Sequence, residues 1–358
     1  MVEVMVIGAT GVVGQQFLVA LADHPWFHVA KLVASPRSAG KRYVDAIRDR
    51  ATGSIRWYCD EPLPEQFREI VVESFREELL DDVDLVFTAV ESDVAREIEP
   101  KIAEKKPVIS TASAFRYEED VPLIIPGVNH DHAPLIERQR QNRGWKGFIA
   151  PIPNCTTTGL AISIKPIMDA FGLRIVLMTS LQALSGAGRS PGVIGLDILD
   201  NVIPYIPKEE EKVQKETLKI LGKYMGDHVE PAGFKVSCTC TRVNVRDGHT
   251  ECVFLSTEKN ATVDEVKSVL RKFKGCSDMG LPSSPKRMIV VHEDPFRPQP
   301  RLDRNTEDGM ATVVGRVRED PALENGIKYV LLSHNTKMGA AKGAVLLAEL
   351  LYKEGYIC

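Results

Sequence analysis

Residues 2–14 read VEVMVIGATGVVG, and the change of pattern inside them decides how the chain begins to fold. Val2 to Ile7 form an apolar run of strand length, while Val13, Phe17 and Leu21 recur at helical spacing. Between the two patterns stand Gly8 and Gly11, with Gly14 a turn later. Glycines permit a tight strand-to-helix turn, and the helix N-terminus behind it can receive a pyrophosphate. A plain βα turn would use similar residues. The order strand, glycines, helix at the start of a βα series is what points to a dinucleotide.

Outward from this unit, apolar runs alternate with helical patterns to about residue 153: HVAKLVAS, VDLVFTAV, KPVIST and VPLIIPGVN. That alternation predicts repeated βα units around a parallel sheet. Later strands are longer and more often adjacent: RIVLMTSLQAL, KVSCTCTRVNV, TECVFLST, RMIVVHED, MATVVGRVRED and IKYVLLSHN. Two of them, around 235–257, are separated by RDGH, whose Asp–Gly pair predicts a hairpin. With helical patterns at 209–222 and 262–273, the expectation is an antiparallel or mixed sheet with helices on one face. The fold class is therefore α/β. A Rossmann-like parallel-sheet domain (1–153 with 334–358) is joined to an α+β domain (154–333), and the terminal helical segment MGAAKGAVLLAELLYKEG packs back on the first.

Composition narrows the function. A chain of 358 residues is long for one core, which agrees with two domains. It is 44% hydrophobic and 26% charged, and its net charge of −4 comes from 45 basic and 49 acidic residues with no long block of one sign. Nucleic acid and anionic membranes are poor partners for such a surface. No apolar run reaches bilayer length, and the first residues lack the basic n-region of a signal peptide. Seven cysteines without a CxxC pair argue against a disulfide framework and against a zinc site. The expectation is a cytoplasmic protein without metal.

Two regions carry the chemistry. After the second strand the chain reads ASPRSAGK, with Ser35, Arg37, Ser38 and Lys41 but no acid to hold ribose hydroxyls. A guanidinium and hydroxyls suit a 2′-phosphate, so NADP is favoured over NAD, although a solvated basic loop reads the same way. In PIPNCTT, Cys155 lies where a strand hands over to a helix, a place that favours a thiolate. A lone cysteine is more often a small core residue. His249, in RVNVRDGHTE, is one of eight histidines and by pattern an ordinary surface residue. Arg242 in the preceding strand suits either a carboxylate clamp or a surface ion pair.

GATGVVG, PNCTT, LQALSGAG, RVNVRDGHTE and HNTKMGAAKGA, in this order and across nearly the whole chain, resemble the aspartate-semialdehyde dehydrogenase family. RPQPRLDRN and NVIPYIPKEEEKVQKET resemble its archaeal and fungal branch. The resemblance implies NADPH-dependent, reversible reduction of 4-phospho-L-aspartate to L-aspartate 4-semialdehyde with release of phosphate, on the way to lysine, threonine, methionine and isoleucine. It implies Cys155 as nucleophile, His249 as acid/base and Gln182 as the residue orienting the acyl group. It also implies substrate contacts from Asn154, Arg242 (α-carboxylate), Glu209 (amino group), and Lys212 and Arg116 (phosphate). Cofactor contacts follow from Gly8, Thr10, Gly11, Val12 and Val13, from Ser35, Arg37 and Ser38, and from Ser185, Gly186, Ala187 and Asn335. The first domain then binds NADP(H), and the second carries catalysis and the contacts of a homodimer or homotetramer.

Neighbouring readings fit less well. Malonyl-CoA reductase shares cofactor and cysteine, but Asn154 before the cysteine speaks against it. N-acetyl-glutamyl-phosphate reductase is expected to read PGCY. Glyceraldehyde-3-phosphate dehydrogenase calls for the acid that is missing after the second strand. A catalytically dead NADP-binding sensor would not need Cys155, Gln182, Arg242 and His249 together. Two features stay unassigned by sequence: Arg189, where relatives often have an aromatic residue, and 292–305, expected to be an ordered polar connector.

Overall fold

The computed structural model describes residues 1–188 and 192–358, so Arg189 lies outside the described residues. Contacts divide the chain into two compact units, 1–122 with 133–152 and 340–358, and 123–132 with 153–339. Segments 123–132 and 334–339 thus fall in the second unit, whereas the sequence reading ran the first domain unbroken to 153 and resumed it at 334.

In the first unit, strands β1 (Val2–Ile7), β2 (Phe27–Val33), β3 (Val72–Glu73), β4 (Leu85–Thr88), β5 (Val108–Ser110) and β6 (Ile149–Pro151) form one sheet in the order β3-β2-β1-β4-β5-β6. Every pair is parallel. This is the doubly wound order that places a ligand crevice beyond the strand ends where β1 and β4 diverge. Met5, Ile7, Val33, Val86, Ile102, Val108 and Ile149 share its core. Helix α1 (Val12–Leu21) follows β1, and the last helix of the chain, Ala341–Lys353, packs on α1 as expected. The apolar run VPLIIPGVN is not a strand. Its polar backbone is met by a side chain instead: Asn129 accepts from Ile125 N–H and donates to the Leu123 carbonyl, both at 2.9 Å.

In the second unit, β7 (Ile175–Gln182), β8 (Lys235–Arg242), β9 (His249–Ser256), β10 (Ile289–Val291), β11 (Thr312–Glu319) and β12 (Gly326–Ser333) form a mixed sheet in the order β8-β7-β9-β12-β11-β10. The hairpin expected at RDGH is absent, because β7 lies between β8 and β9, parallel to the first and antiparallel to the second. The residues after β8 pair instead with the end of β7: Val243 N–H donates to the Gln182 carbonyl, and Leu184 N–H to the Val245 carbonyl. Along β9, His249, Glu251, Val253 and Leu255 are buried while Thr250, Cys252 and Phe254 are half-buried, so one face packs under helices. Helices α2 (Cys155–Phe171), α3 (Glu209–Ile220) and α4 (Val263–Lys272) contact the sheet. The 292–305 connector is organised by one buried acid: Asp303 accepts from Arg297 Nε at 2.8 Å and Gln299 N–H at 2.6 Å, with His292 at 3.3 Å. Among the described residues no helix is long and apolar enough to cross a membrane.

Candidate active site

Cys155 is the first residue of α2, and the residue before it finishes the helix end. Asn154 has non-helical angles (φ −56°, ψ 142°), and its Oδ1 accepts from the N–H groups of Thr156 and Thr157 at 2.9 and 3.2 Å. A side-chain cap of this kind satisfies two donors that no helix can satisfy internally. The cap is itself held. Asn154 Nδ2 donates to Glu209 Oε1 at 2.8 Å, and Asn154 N–H donates to Glu216 Oε2 at 2.6 Å. Glu209 and Glu216 lie two turns apart on α3, hence on one face. Lys212, on that same face, sits 3.6 Å from Glu209 Oε2.

The Cys155 thiol faces an imidazole: Sγ is 3.2 Å from His249 Nε2. His249 starts β9 and is fully buried. Burial first, then the neighbouring Arg242 and His334, push its pKa down to about 3. Arg242 ends β8 in register with Gln182, the last residue of β7. It is 5% exposed and donates from Nη1 to the Ala183 carbonyl at 2.6 Å. Among the described residues no carboxylate lies within ion-pair distance of this guanidinium, and burial lowers its pKa. Glu209 and the Cys155 thiol act on its charge only through space, so an arriving anion would find the guanidinium open to a direct contact. Gln182 is also buried, with Nε2 3.2 Å from Ser180 Oγ.

A short turn at Leu184–Ala187 covers the pair. A Cβ on Gly186 would come within 3.0 Å of Arg242 Nη1 and 3.1 Å of His249 Cε1. Asn335 braces this turn, donating from Nδ2 to Ser185 Oγ at 2.7 Å and accepting from Gly248 N–H at 2.8 Å. Both ends of its amide are thus engaged within the protein. Gly339 presses on Cys155 from another side, since a Cβ there would lie 2.8 Å from Cys155 Cβ. The second unit therefore gathers Cys155, His249, Arg242, Gln182, Asn154, Glu209 and Lys212 around one thiol. Glu216, the Ala183 backbone and Gly339 belong to the same assembly and were missed by sequence reasoning. Only Glu216 had a signal, its spacing of seven from Glu209.

The first unit carries the remaining candidates. Gly8 has φ +87°, and any Cβ on it or on Gly14 would collide with backbone, of Ala89 in the first case and of Gly8 in the second. A Cβ on Gly11 would meet only the Gly8 carbonyl at 3.4 Å, so the loop is open on that flank. Gly11 caps α1 without a side chain, leaving the N–H groups of the first turn, Val12 and Val13 among them, facing outward after Thr10. Beyond β2, Ser35 and Arg37 are exposed and Ser38 is half-buried. Arg42 pairs with Asp45 and Glu69, whereas the Arg37 guanidinium has no ion pair among the described residues. This cradle, free of acid and edged by an unpaired guanidinium, fits a dinucleotide with an added phosphate. Arg116 is 5% exposed and donates from Nη2 to the Thr111 carbonyl at 3.0 Å.

Comparison with known proteins gives one answer over both units. The family model described as semialdehyde dehydrogenase, NAD binding domain, matches residues 3–135, and the one described as semialdehyde dehydrogenase, dimerisation domain, matches 164–338. The aspartate-semialdehyde dehydrogenase of Archaeoglobus fulgidus is 49% identical over 356 residues, covering 99% of each chain. That of Saccharomyces cerevisiae is 44% identical over 367 residues, covering 98% of each. The crystal structure of aspartate semialdehyde dehydrogenase with NADP from Candida albicans superposes with a TM-score of 0.87 at 41% identity, covering 100% of both chains. On this end-to-end likeness, the chain belongs to the aspartate-semialdehyde dehydrogenase family.

Proposed function

We propose that this enzyme reduces 4-phospho-L-aspartate to L-aspartate 4-semialdehyde, reversibly, through a thioester on Cys155. The observation that carries the reading is the thiol at the head of α2, 3.2 Å from His249 Nε2 and beside the buried Arg242. The Cys155 thiolate attacks the acyl carbon, a C–S bond forms, and the C–O bond to phosphate breaks. His249 is proposed as the acid/base: it takes the Cys155 thiol proton as the C–S bond forms and passes it to the leaving phosphate, while the helix end stabilises the thiolate. NADPH, when bound, supplies the hydride that reduces the thioester carbon. The resulting alkoxide on Cys155 collapses, the C–S bond breaks, and the aldehyde departs with the thiolate restored. The one proton the net reduction consumes comes from solvent by way of His249 and restores the Cys155 thiol.

Arg242 is proposed to clamp the α-carboxylate, Glu209 to take the amino group, and Lys212 and Arg116 to take the phosphate, with Gln182 orienting the acyl group. Arg37 and Ser38 are proposed to meet the 2′-phosphate of NADPH on the first unit. Ser185, Gly186, Ala187 and Asn335 remain the proposed cofactor contacts of the second unit. The proposed setting is cytoplasmic, in the synthesis of lysine, threonine, methionine and isoleucine, and the proposed assembly is a homodimer or homotetramer. The test is NADP⁺ reduction by aspartate semialdehyde with and without phosphate, run beside NADPH oxidation by malonyl-CoA. Phosphate-dependent turnover is expected; faster turnover of malonyl-CoA would overturn the substrate assignment.

A further inference from the structure

Between Ser35 and Arg56 the chain carries six basic residues and two acids, although the protein as a whole is net acidic at −4. Both acids are already taken: Asp45 pairs with Arg42, and Asp49 with Arg56. Arg37, Lys41, Arg48 and Arg50 have no ion pair among the described residues. Two of these cations gather on the backbone of a third. Lys41 Nζ donates to the Arg37 carbonyl at 2.8 Å, and Arg50 Nη2 donates to the same oxygen at 3.4 Å. Like charges collected in this way repel one another until an anion joins them. We infer that Arg50 is a second guanidinium of the 2′-phosphate site, completing with Lys41 and Arg37 a cationic clamp that sets the affinity for NADPH over NADH.

Arg50 is carried by a built turn. Asp49 is buried, and its Oδ1 accepts from the N–H groups of Ala51 and Thr52, both at 2.9 Å. Its own N–H donates to the Ser54 carbonyl at 2.8 Å, and Gly53 N–H returns to the Asp49 carbonyl at 2.9 Å. Arg48 and Ile55 close the turn as an antiparallel bridge. The flanking chain is tied to the dinucleotide cradle on both sides. Before the turn, Tyr43 Oη donates to the Ala9 carbonyl, inside the glycine loop, at 2.8 Å. After it, Gln15 of α1 donates from Nε2 to the Arg56 carbonyl at 2.7 Å and accepts at Oε1 from Tyr58 N–H at 2.8 Å. The turn is thus fixed to the glycine loop and to the helix behind it. Arg37 stands beyond β2, at the strand end where the adenosine ribose of a dinucleotide is read. A guanidinium has the flat fork that matches a phosphate. Arg48 supplies the contrast: it is equally exposed on the same turn, but its Nη1 closes on the Gly53 carbonyl of that turn at 2.7 Å.

This inference rests on the proposed meeting of Arg37 with the 2′-phosphate, and binding alone tests it. The full enzyme is titrated with NADPH and with NADH by fluorescence, without substrate, as parent and as Arg50→Gln, Arg48→Gln and Arg37→Ala. Arg50→Gln should weaken NADPH about three- to tenfold and leave NADH within about twofold, the size of one exposed charged contact. That loss should shrink as salt is raised, because the charge removed is a screened one. Arg50→Lys keeps the charge and should recover most of the affinity, and Arg48→Gln should leave the ratio of the two cofactors unchanged. Equal losses for NADPH and NADH in Arg50→Gln would overturn the inference, since only the turn would then have been disturbed. A loss of NADPH in Arg48→Gln as large as in Arg50→Gln would overturn it too, leaving a diffuse field without a contact. If Arg37→Ala separates the two cofactors and Arg50→Gln does not, the clamp is wrong while the 2′-phosphate reading of Arg37 stands. If neither variant separates them, both fall.

Discussion

Helices α1 and α2 both open just after a parallel strand, yet their first turns are finished in opposite ways. At α1 the capping residue is Gly11, which brings no side chain and leaves outward N–H groups. At α2 the cap is Asn154, whose side chain takes two N–H groups and is tied in turn to Glu209 and Glu216. One end has no side-chain cap, as suits the phosphate groups proposed to bind there. The other is closed and braced because what it presents, the Cys155 sulfur, must be aimed. On the proposed reading, the same helix-end electrostatics serve a diffusible ligand in one unit and a covalent nucleophile in the other.

The largest expected effect separates the two ends completely. Cys155→Ser should lower kcat by at least about 1000-fold, since a serine hydroxyl is a weak nucleophile at neutral pH. NADPH affinity, followed by fluorescence titration, should stay unchanged. Loss of cofactor binding in this variant would break the division of labour. Arg37→Ala is the converse: NADPH affinity should fall about ten- to a hundredfold and NADH affinity hardly at all, with the reactivity of Cys155 toward a thiol reagent preserved. Equal losses for both cofactors would place Arg37 away from the 2′-phosphate.

Removing the brace should cost less. Asn154→Ala strips the α2 cap and is expected to lower unfolding free energy by about 1 kcal/mol, and by up to about 2 kcal/mol, read by chemical denaturation. Gly11→Ala, at the end that never had a side-chain cap, should change stability far less while weakening cofactor. If the two variants destabilise equally, the Asn154 brace contributes nothing beyond an ordinary residue. The smallest effect is at Glu251, close under Gly159 of α2, where neither carboxyl oxygen finds a partner. Its folded pKa lies well above the ordinary 4.5, so above pH 4.5 the folded state holds a proton the unfolded chain has lost. Stability therefore falls as pH climbs through that window. Glu251→Gln should remove the slope, its advantage over the parent growing from pH 5 to pH 8 in denaturation midpoints.

How much of this was legible depends on the range of the interaction that decides it. The β1–glycine–α1 unit is local, with every determinant between Val2 and Leu21, and it reads correctly from sequence. The RDGH turn is also local, but the partner of β8 is not: β7, more than fifty residues earlier in sequence, takes the place a hairpin would have filled. Asp–Gly chemistry specifies a turn and is silent about which strand will lie alongside. In the site, the position of Cys155 was readable from the strand-to-helix switch, whereas His249 and Arg242 were singled out only by resemblance. The Ala183 carbonyl that holds Arg242 has no signature at all, because every residue carries one. Glu251 carries no sequence signal of its burial, and Glu216 carries only its spacing of seven from Glu209.

The Glu209 carboxylate has a consequence for how the substrate's two ends are recognised together. Both its oxygens are already engaged, Oε1 by Asn154 and Oε2 by Lys212 at the looser distance of 3.6 Å. An arriving ammonium group would compete with the weaker of these two, the lysine. Lys212 would then be released at the moment the amine docks, free to turn toward the phosphate it is proposed to hold. Read this way, Glu209, Lys212 and the substrate's two charged ends form an exchange of partners, and a ligand offering only a phosphate or only an amine would complete half of it.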